Sequence, residues 1–234
     1  MHNLALIDSS FSGASGIFST ISITNYGNGN SYGLRLDNTM TEYAVNSDAY
    51  LDGDSVSDSG AGLISISNQG NGDAYGIHSY NAVNRVLGRG IIDIENRSGG
   101  NVYGLYGGGE IVNNYGETDP ENAEISLQNL ANGKAYGIFA YSGNAYNFGT
   151  ININNIGNNE AVGMFGDTYS RILNAGTINI THENYTDKNG VIFEASDTIA
   201  GNIYGIYANN AYEAFNSYVD NPHEETAFGD ISLS

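Results

Sequence analysis

The sequence of 234 residues has no cysteine, only 2 prolines, and only 7 lysines and arginines. Without cysteine the chain has no disulfide framework and no thiolate metal site. Its 26 acidic residues give a net charge of −19, and so acidic a surface repels nucleic-acid phosphates and anionic lipid. We therefore expect no nucleic-acid partner.

Long apolar runs are also absent from the sequence. No stretch approaches the roughly 18 apolar residues that a membrane helix needs. The segment from Met1 to Asp8 lacks the basic region and the long apolar segment of a secretory signal. We expect no signal peptide and no membrane insertion by this segment.

The sequence does contain a repeat with two markers. The first marker is a triplet with aliphatic residues at both ends, which begins at Leu4, Ile21, Ile64, Ile92, Ile125, Ile151, Ile178 and Ile231. The second is a glycine followed by an aliphatic residue or methionine, at Gly16, Gly33, Gly76, Gly104, Gly137, Gly163 and Gly205. In six successive units the glycine lies 12 positions after the start of the triplet. Composition bias does not hold an interval so constant, which indicates a true repeat.

The seven triplets from Ile21 onward alternate apolar and polar residues, which is typical of a strand with one buried face. In most units an asparagine follows shortly after, at Asn25, Asn68, Asn96, Asn129 and Asn155. Asparagine tolerates the sharp turn out of a strand, and stacked asparagines would form a ladder. The second marker usually reads Tyr-Gly-aliphatic, and we expect the residues on both sides of the glycine to point inward.

A third, weaker strand precedes each triplet, as in Arg171-Ile172-Leu173-Asn174 and Arg85-Val86-Leu87. The pattern predicts an all-β chain folded as a parallel β-helix, with three short strands per coil and about eight coils. Residues 1–234 would form a single β-helix, because one coil cannot bury its apolar face without stacked neighbours. We predict insertions at 35–63, 107–124, 182–199 and 208–229. Binding function is usually found on such loops.

Several coils resemble those of autotransporter passenger domains, the secreted regions of type V bacterial outer-membrane proteins. The resemblance rests on the segments Asn147–Ile153, Asn174–Ile180, Asp73–Ile77 and Lys134–Ala140. It implies a right-handed β-helix, export through the periplasm, and display or release at the cell surface. Members act as adhesins, as toxins or as stalks bearing a serine protease. Because coils begin at Leu4 and end at Leu233, we expect a fragment of a longer passenger.

No catalytic residues are predicted, and we expect a non-enzymatic adhesin or structural stalk. The four histidines, His2, His78, His182 and His223, lie in no protease signature. His182-Glu183 and His223-Glu224 lack the second histidine of a zinc-protease helix. Two alternatives remain open. The chain could be the stem of a toxin or protease whose catalytic domain lies outside it. It could also be a glycan-active β-helix enzyme of the lyase, hydrolase or phage tailspike type, with a carboxylate cluster on one face.

Two groups of residues are candidates for binding. The loop carboxylates Asp52, Asp54 and Asp58 could hold calcium, or form a solvated acidic loop, and no other cofactor is expected. The candidate binding surface combines aromatic residues of the last insertion with an outward stripe that follows the second marker: Tyr212, Phe215, Tyr218, Tyr106, Phe139, Phe165 and Tyr207. The stripe would contact a host-surface protein or a glycan, or would pack beneath the insertions. Exposed terminal coils could also associate end to end or laterally.

Overall fold

The structure is a computed structural model. It describes residues 14–17, 20–36, 43–46, 49–52, 55–58, 61–84, 89–114, 123–157, 159–187, 189–195, 201–218 and 227–234. Within these ranges every regular element is a β-strand. The prediction of an all-β chain is confirmed.

The described strands form three long sheets. Sheet 1 contains β1 (Ala14–Ile17), β4 (Tyr43–Asn46), β9 (Asn81–Asn84), β12 (Glu110–Asn113), β15 (Asn144–Asn147), β18 (Arg171–Asn174) and β23 (Glu213–Phe215). Sheet 2 contains β2 (Thr20–Asn25), β7 (Ala61–Asn68), β10 (Arg89–Asn96), β13 (Ala123–Asn129), β16 (Thr150–Asn155), β19 (Thr177–Thr181) and β26 (Asp230–Leu233). Sheet 3 contains β3 (Ser31–Arg35), β8 (Ala74–His78), β11 (Val102–Gly107), β14 (Ala135–Ala140), β17 (Ala161–Gly166) and β22 (Ile203–Ala208).

The chain passes through sheets 1, 2 and 3 in rotation, and neighbouring strands within each sheet run parallel. Strands β15, β16 and β17, for example, are followed by β18 and β19 in the same order of sheets. We call one passage through the three sheets a coil. This arrangement is a parallel β-solenoid, which confirms the predicted stacking of parallel strands.

The register of sheet 2 explains why the triplets repeat. Ile92 pairs with Ile64 on one side and with Ile125 on the other, and Ile151 pairs with Ile178. The side chains of these isoleucines are fully buried in one continuous core. Each buried aliphatic side chain contributes about 1.5–3 kcal/mol, but only when a stacked coil covers it.

The predicted asparagine ladder at the end of sheet 2 is confirmed. Asn25, Asn68, Asn96 and Asn129 each donate from Nδ2 to Oδ1 of the asparagine in the next coil, at 3.0, 2.9, 2.9 and 2.6 Å. A second ladder, which the sequence analysis did not predict, runs along the end of sheet 1. It connects Asn46, Asn84, Asn113, Asn147, Asn174 and Asn216 at 2.7–2.9 Å. Both ladders satisfy buried polar groups where the chain leaves a strand.

The predicted insertions contain regular strands as well as hairpins. Range 35–63 holds β4 and an antiparallel hairpin of β5 (Ala49–Asp52) and β6 (Ser55–Asp58). Range 107–124 holds β12, and 182–199 holds a hairpin of β20 (Tyr185–Thr186) and β21 (Ile192–Phe193). Range 208–229 holds β23 and a hairpin of β24 (Ser217–Tyr218) and β25 (Ala227–Phe228).

One predicted third strand was misplaced. The sheet 1 strand of the coil in question is β9, at Asn81–Asn84, whereas the predicted strand at 85–87 lies outside the described residues. The third strand predicted at Arg171–Asn174, by contrast, is confirmed as β18 with the same bounds.

The expectation that tyrosine points inward before the glycine is wrong. Ala74 and Ile77 of β8 lie in the core, but Tyr75 belongs to a separate aromatic cluster on the outer side of sheet 3. A Cβ on Gly76 would overlap Ile92 Cγ2 and the carbonyl oxygen of Gly104. The glycine therefore takes the inward position beside Ile77, and the usual alternation along the strand is interrupted there.

Candidate functional site

The outer side of sheet 3 carries two columns of stacked rings. The tyrosine ladder consists of Tyr32, Tyr75, Tyr103 and Tyr136, whose successive centroids are 5.0, 4.7 and 5.3 Å apart with planes within 10°. The outer column consists of His78, Tyr106, Phe139, Phe165 and Tyr207, at successive spacings of 4.9, 5.1, 4.5 and 5.4 Å. Rings of the two columns also meet edge to face, as Tyr103 meets Phe139 at 5.6 Å.

Acidic residues at the turn before sheet 3 accept hydrogen bonds from two tyrosines of the ladder, Tyr75 and Tyr136. Tyr136 Oη donates to Glu160 Oε1 at 2.8 Å, and Tyr75 Oη donates to Asp73 Oδ2 at 3.2 Å. Burial, followed by the negative charge of Asp73, raises the pKa of Tyr103 to about 12. Burial also raises the pKa of Tyr75 and Tyr136 well above the ordinary value. Tyr75, Tyr103 and Tyr136 are therefore neutral, buried phenols.

Four residues of the predicted binding surface lie in the outer column: Tyr106, Phe139, Phe165 and Tyr207. Neighbouring rings cover the faces of Tyr106 and Phe139 from above and below, and the tyrosine ladder packs against their edges. Binding of a sugar to an aromatic side chain uses an open ring face. Tyr106 and Phe139 have little open face, so their first role is to hold successive coils together.

Among the described residues, exposed aromatic side chains lie in the turns between sheets 3 and 1, at Tyr141, Tyr169 and Tyr212, and at the end of β23, at Phe215. We call Tyr141, Tyr169, Tyr212 and Phe215 the tyrosine corner; their exposed fractions are 40%, 68%, 75% and 44%. Tyr212 and Phe215 were predicted to belong to a binding surface, whereas Tyr141 and Tyr169 were missed. For Tyr218, also predicted, only the backbone in β24 is described.

Tyr169 and Tyr212 form the centre of this corner. Their ring centroids are 5.5 Å apart with planes tilted by 41°. Two backbone hydrogen bonds hold the turn of Tyr169 against the turn of Tyr212. Tyr169 N donates to Asn210 O at 3.2 Å, and Tyr212 N donates to Ser170 O at 2.8 Å. Tyr169 has a φ of 61°, which lies in the left-handed region that tyrosine rarely adopts. Such strain is often found at functional positions.

Polar side chains flank the tyrosine corner and are paired with each other. Asn209 Nδ2 donates to Asp167 Oδ1 at 3.0 Å, and Arg171 Nε donates to Glu213 Oε2 at 2.6 Å. These pairs join successive coils on both sides of the two rings. The corner therefore presents open aromatic surface with amide, carboxylate and guanidinium groups beside it, a combination suited to binding a glycan or a protein surface.

A second feature lies on the outer face of sheet 2, beneath the hairpin of β20 and β21. Arg97 donates to Glu95 Oε1 at 2.6 Å and to Asp187 Oδ2 at 2.5 Å, and Tyr185 Oη donates to Glu95 Oε2 at 3.1 Å. The Arg97 guanidinium also lies 4.9 Å from the centroid of the Phe193 ring. The hairpin thus reaches from the coil of β19 back to the coil of β10.

The carboxylates on this face have different environments. Burial acts to raise the pKa of Asp187, but hydrogen bonds from Val191 N, Arg97 and Asn189 N outweigh it and lower that pKa. Desolvation, followed by repulsion from Glu95 and Glu124, raises the pKa of the Asp93 carboxyl, although Asp93 is exposed to solvent. Asn152 Nδ2 donates to Glu124 Oε1 at 3.1 Å.

The predicted calcium site cannot be placed. Asp54 lies outside the described residues, and so do the side chains of Asp52 and Asp58, whose backbones belong to β5 and β6. Elsewhere in the described part of the chain, no group of three or more His, Cys, Asp or Glu side chains is arranged to hold a metal ion.

A signal for the missed corner residues was present in the sequence. The segment between the second marker and the third strand carries a tyrosine in four coils, at Tyr80, Tyr141, Tyr169 and Tyr212. These segments differ in length, so an alignment on fixed intervals does not bring the tyrosines together.

No protein-family description, no curated protein and no solved structure matches this chain. Among the described residues, no helix has the length and apolar character needed to cross a membrane.

Proposed function

We propose that the chain is a segment of a bacterial passenger domain of the autotransporter type, displayed at the cell surface or secreted. In this proposal it forms a right-handed β-helix of about eight coils and works as an adhesin and structural stalk, without enzymatic activity. The observation that carries the binding role is the tyrosine corner, where exposed aromatic residues gather while those of sheet 3 pack against each other.

The stalk role is supported by the continuity of the stacking. Side chains connect one coil to the next in the buried isoleucine core, in both asparagine ladders and in the two ring columns. Each coil contacts its neighbours by the same interactions, which suits a rod that holds a binding site away from its anchor.

The binding role is supported by the chemistry of the corner. Tyrosine supplies large contact area at low entropic cost and is common at the centre of binding surfaces. Because the chain carries a net charge of −19, partners with strong negative charge are disfavoured. We propose a host-surface protein or a glycan as the partner.

A binding assay on glycans and host cells tests this proposal. The whole chain is compared with a Tyr169→Ala/Tyr212→Ala double variant and with Tyr26→Ala as a matched control. Tyr26 is 76% exposed but lies in the turn after sheet 2, away from the corner. Loss of the corner rings is expected to weaken binding about tenfold or more, as for other binding hot spots.

The control variant should bind like the unmodified chain. Equal binding by the double variant would remove the corner from the proposal. If the unmodified chain binds neither glycans nor cells, the adhesin role fails. The preferred hypothesis is then that the chain is the stem of a toxin or protease whose catalytic domain lies outside it.

The carboxylates of sheet 2 favour a second candidate, a glycan-active enzyme. Asp93 has a raised pKa and faces Glu95 and Glu124, as a general acid beside a carboxylate would. Glu95, however, is already bound by Arg97 and Tyr185, which weakens this candidate.

A cleavage assay decides on the enzyme candidate. The chain and an Asp93→Asn variant are incubated with a panel of polysaccharides, and new chain ends are measured. The candidate requires cleavage that the variant loses. Absence of cleavage, or cleavage that Asp93→Asn leaves unchanged, would exclude Asp93 as its acid.

A further inference from the structure

Tyrosine is the main target for one-electron oxidants in this chain. The sequence has 18 tyrosines but no cysteine and no tryptophan, the two side chains that compete most readily with phenols for such oxidants. Of its 3 methionines, Met164 is fully buried in the core. Oxidation of the folded chain should therefore be directed to its accessible tyrosines.

Tyr169 and Tyr212 combine accessibility with proximity. They are 68% and 75% exposed, and their ring centroids are 5.5 Å apart. Their planes are tilted by 41°, so the two rings do not stack face to face. The hydrogen bonds from Tyr169 N to Asn210 O and from Tyr212 N to Ser170 O keep the two backbone segments together. Two phenols held in this way meet the geometric need for coupling through their ring carbons.

The buried tyrosines do not meet this need. Tyr75 and Tyr103 lie 4.7 Å apart with planes at 7°, so they contact face to face. A bond between ring carbons next to the hydroxyl groups joins two rings at their edges. Forming it between Tyr75 and Tyr103 would require the ladder to open.

The pair of Tyr106 and Tyr141 has nearly the same ring geometry as Tyr169 and Tyr212. Their centroids are also 5.5 Å apart, with planes at 45°. Tyr106, however, is stacked between His78 and Phe139, and Tyr141 is only 40% exposed and packs over Gly108. Among the described residues, no third ring contacts Tyr169 or Tyr212, so Tyr106 and Tyr141 are the more tightly held and the less reactive pair.

We propose that Tyr169 and Tyr212 form an oxidative cross-linking site that joins successive coils by a dityrosine bond. A peroxidase with hydrogen peroxide removes one electron from each phenol, and each phenol releases its proton to water. The two phenoxyl radicals couple at their ortho carbons, and loss of the two ring hydrogens as the hydroxyl groups re-form restores both aromatic rings. Overall, two tyrosines and one hydrogen peroxide give one dityrosine and two water molecules.

The bond ties the turn between β17 and β18 to the turn between β22 and β23, one coil further along the chain. Because it closes a loop in the unfolded chain, it should raise the temperature of thermal unfolding, as other covalent cross-links do. The inference does not depend on the proposed adhesin role, since it concerns the reactivity of the same corner and needs no binding partner.

The test treats the whole chain at low concentration with peroxidase and hydrogen peroxide. Dityrosine fluorescence, the intact mass and the masses of proteolytic fragments are then measured. The expected product is a monomer lighter by two hydrogen atoms, with a fragment that joins Tyr169 to Tyr212 and a higher unfolding temperature. Tyr169→Phe and Tyr212→Phe should each lose most of the fluorescence, because phenylalanine forms no phenoxyl radical.

Tyr26→Phe and Tyr141→Phe are the matched controls and should keep the fluorescence. Circular dichroism before oxidation checks that all variants have the same fold. A cross-link between Tyr106 and Tyr141, dityrosine only in covalent dimers, or fluorescence that Tyr212→Phe does not reduce would each overturn the proposal.

Discussion

Tyr103 and Tyr212 show how one residue type takes two roles in the same fold. Tyr103 is 8% exposed and stacks between Tyr75 and Tyr136, whereas Tyr212 is 75% exposed and, within the described part of the chain, contacts one other ring, that of Tyr169. Burial of both ring faces makes the first a structural element. Open ring surface leaves the second available to a partner or an oxidant.

The difference arises from the place of each tyrosine within the coil. Equivalent strand positions of successive coils lie directly beside each other in the sheet, so identical side chains stack on one another. A turn position follows segments of different length, so successive tyrosines do not align and their surfaces stay open. Strand tyrosines thus stabilise the solenoid, and turn tyrosines are free to serve function.

The largest effect is expected when the tyrosine ladder is interrupted. Tyr103→Ala removes a buried ring from the middle of the stack and should lower the free energy of unfolding by about 3–5 kcal/mol. Tyr212→Ala, at the exposed corner, should change it by less than about 0.5 kcal/mol. Denaturant unfolding followed by circular dichroism measures both. Similar losses for the two variants would contradict the division into structural and functional tyrosines.

The glycine beside the ladder should be almost as sensitive. A Cβ on Gly104 would overlap Ile125 Cγ2 and the carbonyl oxygen of Gly137, and the backbone atom cannot move away. We expect Gly104→Ala to destabilise the fold by about 3 kcal/mol. Gly99→Ala is the matched control, because a Cβ there meets nothing within 4 Å. A neutral result for Gly104→Ala would mean that the two coils can separate locally.

Alkaline unfolding distinguishes ladder tyrosines by their pKa. Burial raises the pKa of Tyr103 to about 12, from a model-peptide value near 10. The unfolded chain then loses the proton first, so stability is complete below about pH 10 and falls as the pH rises toward 12. Tyr103→Phe should reduce the slope of unfolding free energy against pH in this window by about 1.4 kcal/mol per pH unit. An unchanged slope would show that Tyr103 ionises normally.

The sequence predicted the parts of the fold that repeat at fixed intervals. The isoleucine triplets and the asparagine ladder after sheet 2 depend on spacing alone, and both were located correctly. The second ladder, with Asn113 and Asn147, was missed because its strands are short and the segments before sheet 2 vary in length. The orientation of Tyr75 was missed because the glycine interrupts the alternation, which depends on contact with Ile92 in the next coil.

The candidate site was predicted only in part, for a related reason. Tyr212 and Phe215 were selected because they lie in a long insertion, but nothing in the sequence pairs Tyr212 with Tyr169 of the previous coil. That contact depends on how two turns of different length cross. Likewise, the contact of Arg97 with Asp187 joins residues whose separation follows no repeat interval.

A small stabilising effect is expected at the strained residue of the corner. Tyr169 has a φ of 61°, a conformation that asparagine adopts more readily than tyrosine. Tyr169→Asn should therefore stabilise the fold by about 1 kcal/mol. The same variant should lose partner binding and the cross-link to Tyr212, because both require the ring. Denaturant unfolding and the binding assay on one preparation measure the two effects. A variant that is more stable and still binds would leave the strain at Tyr169 without a functional reason, whereas a more stable variant that no longer binds would indicate that the tyrosine is kept for its exposed ring.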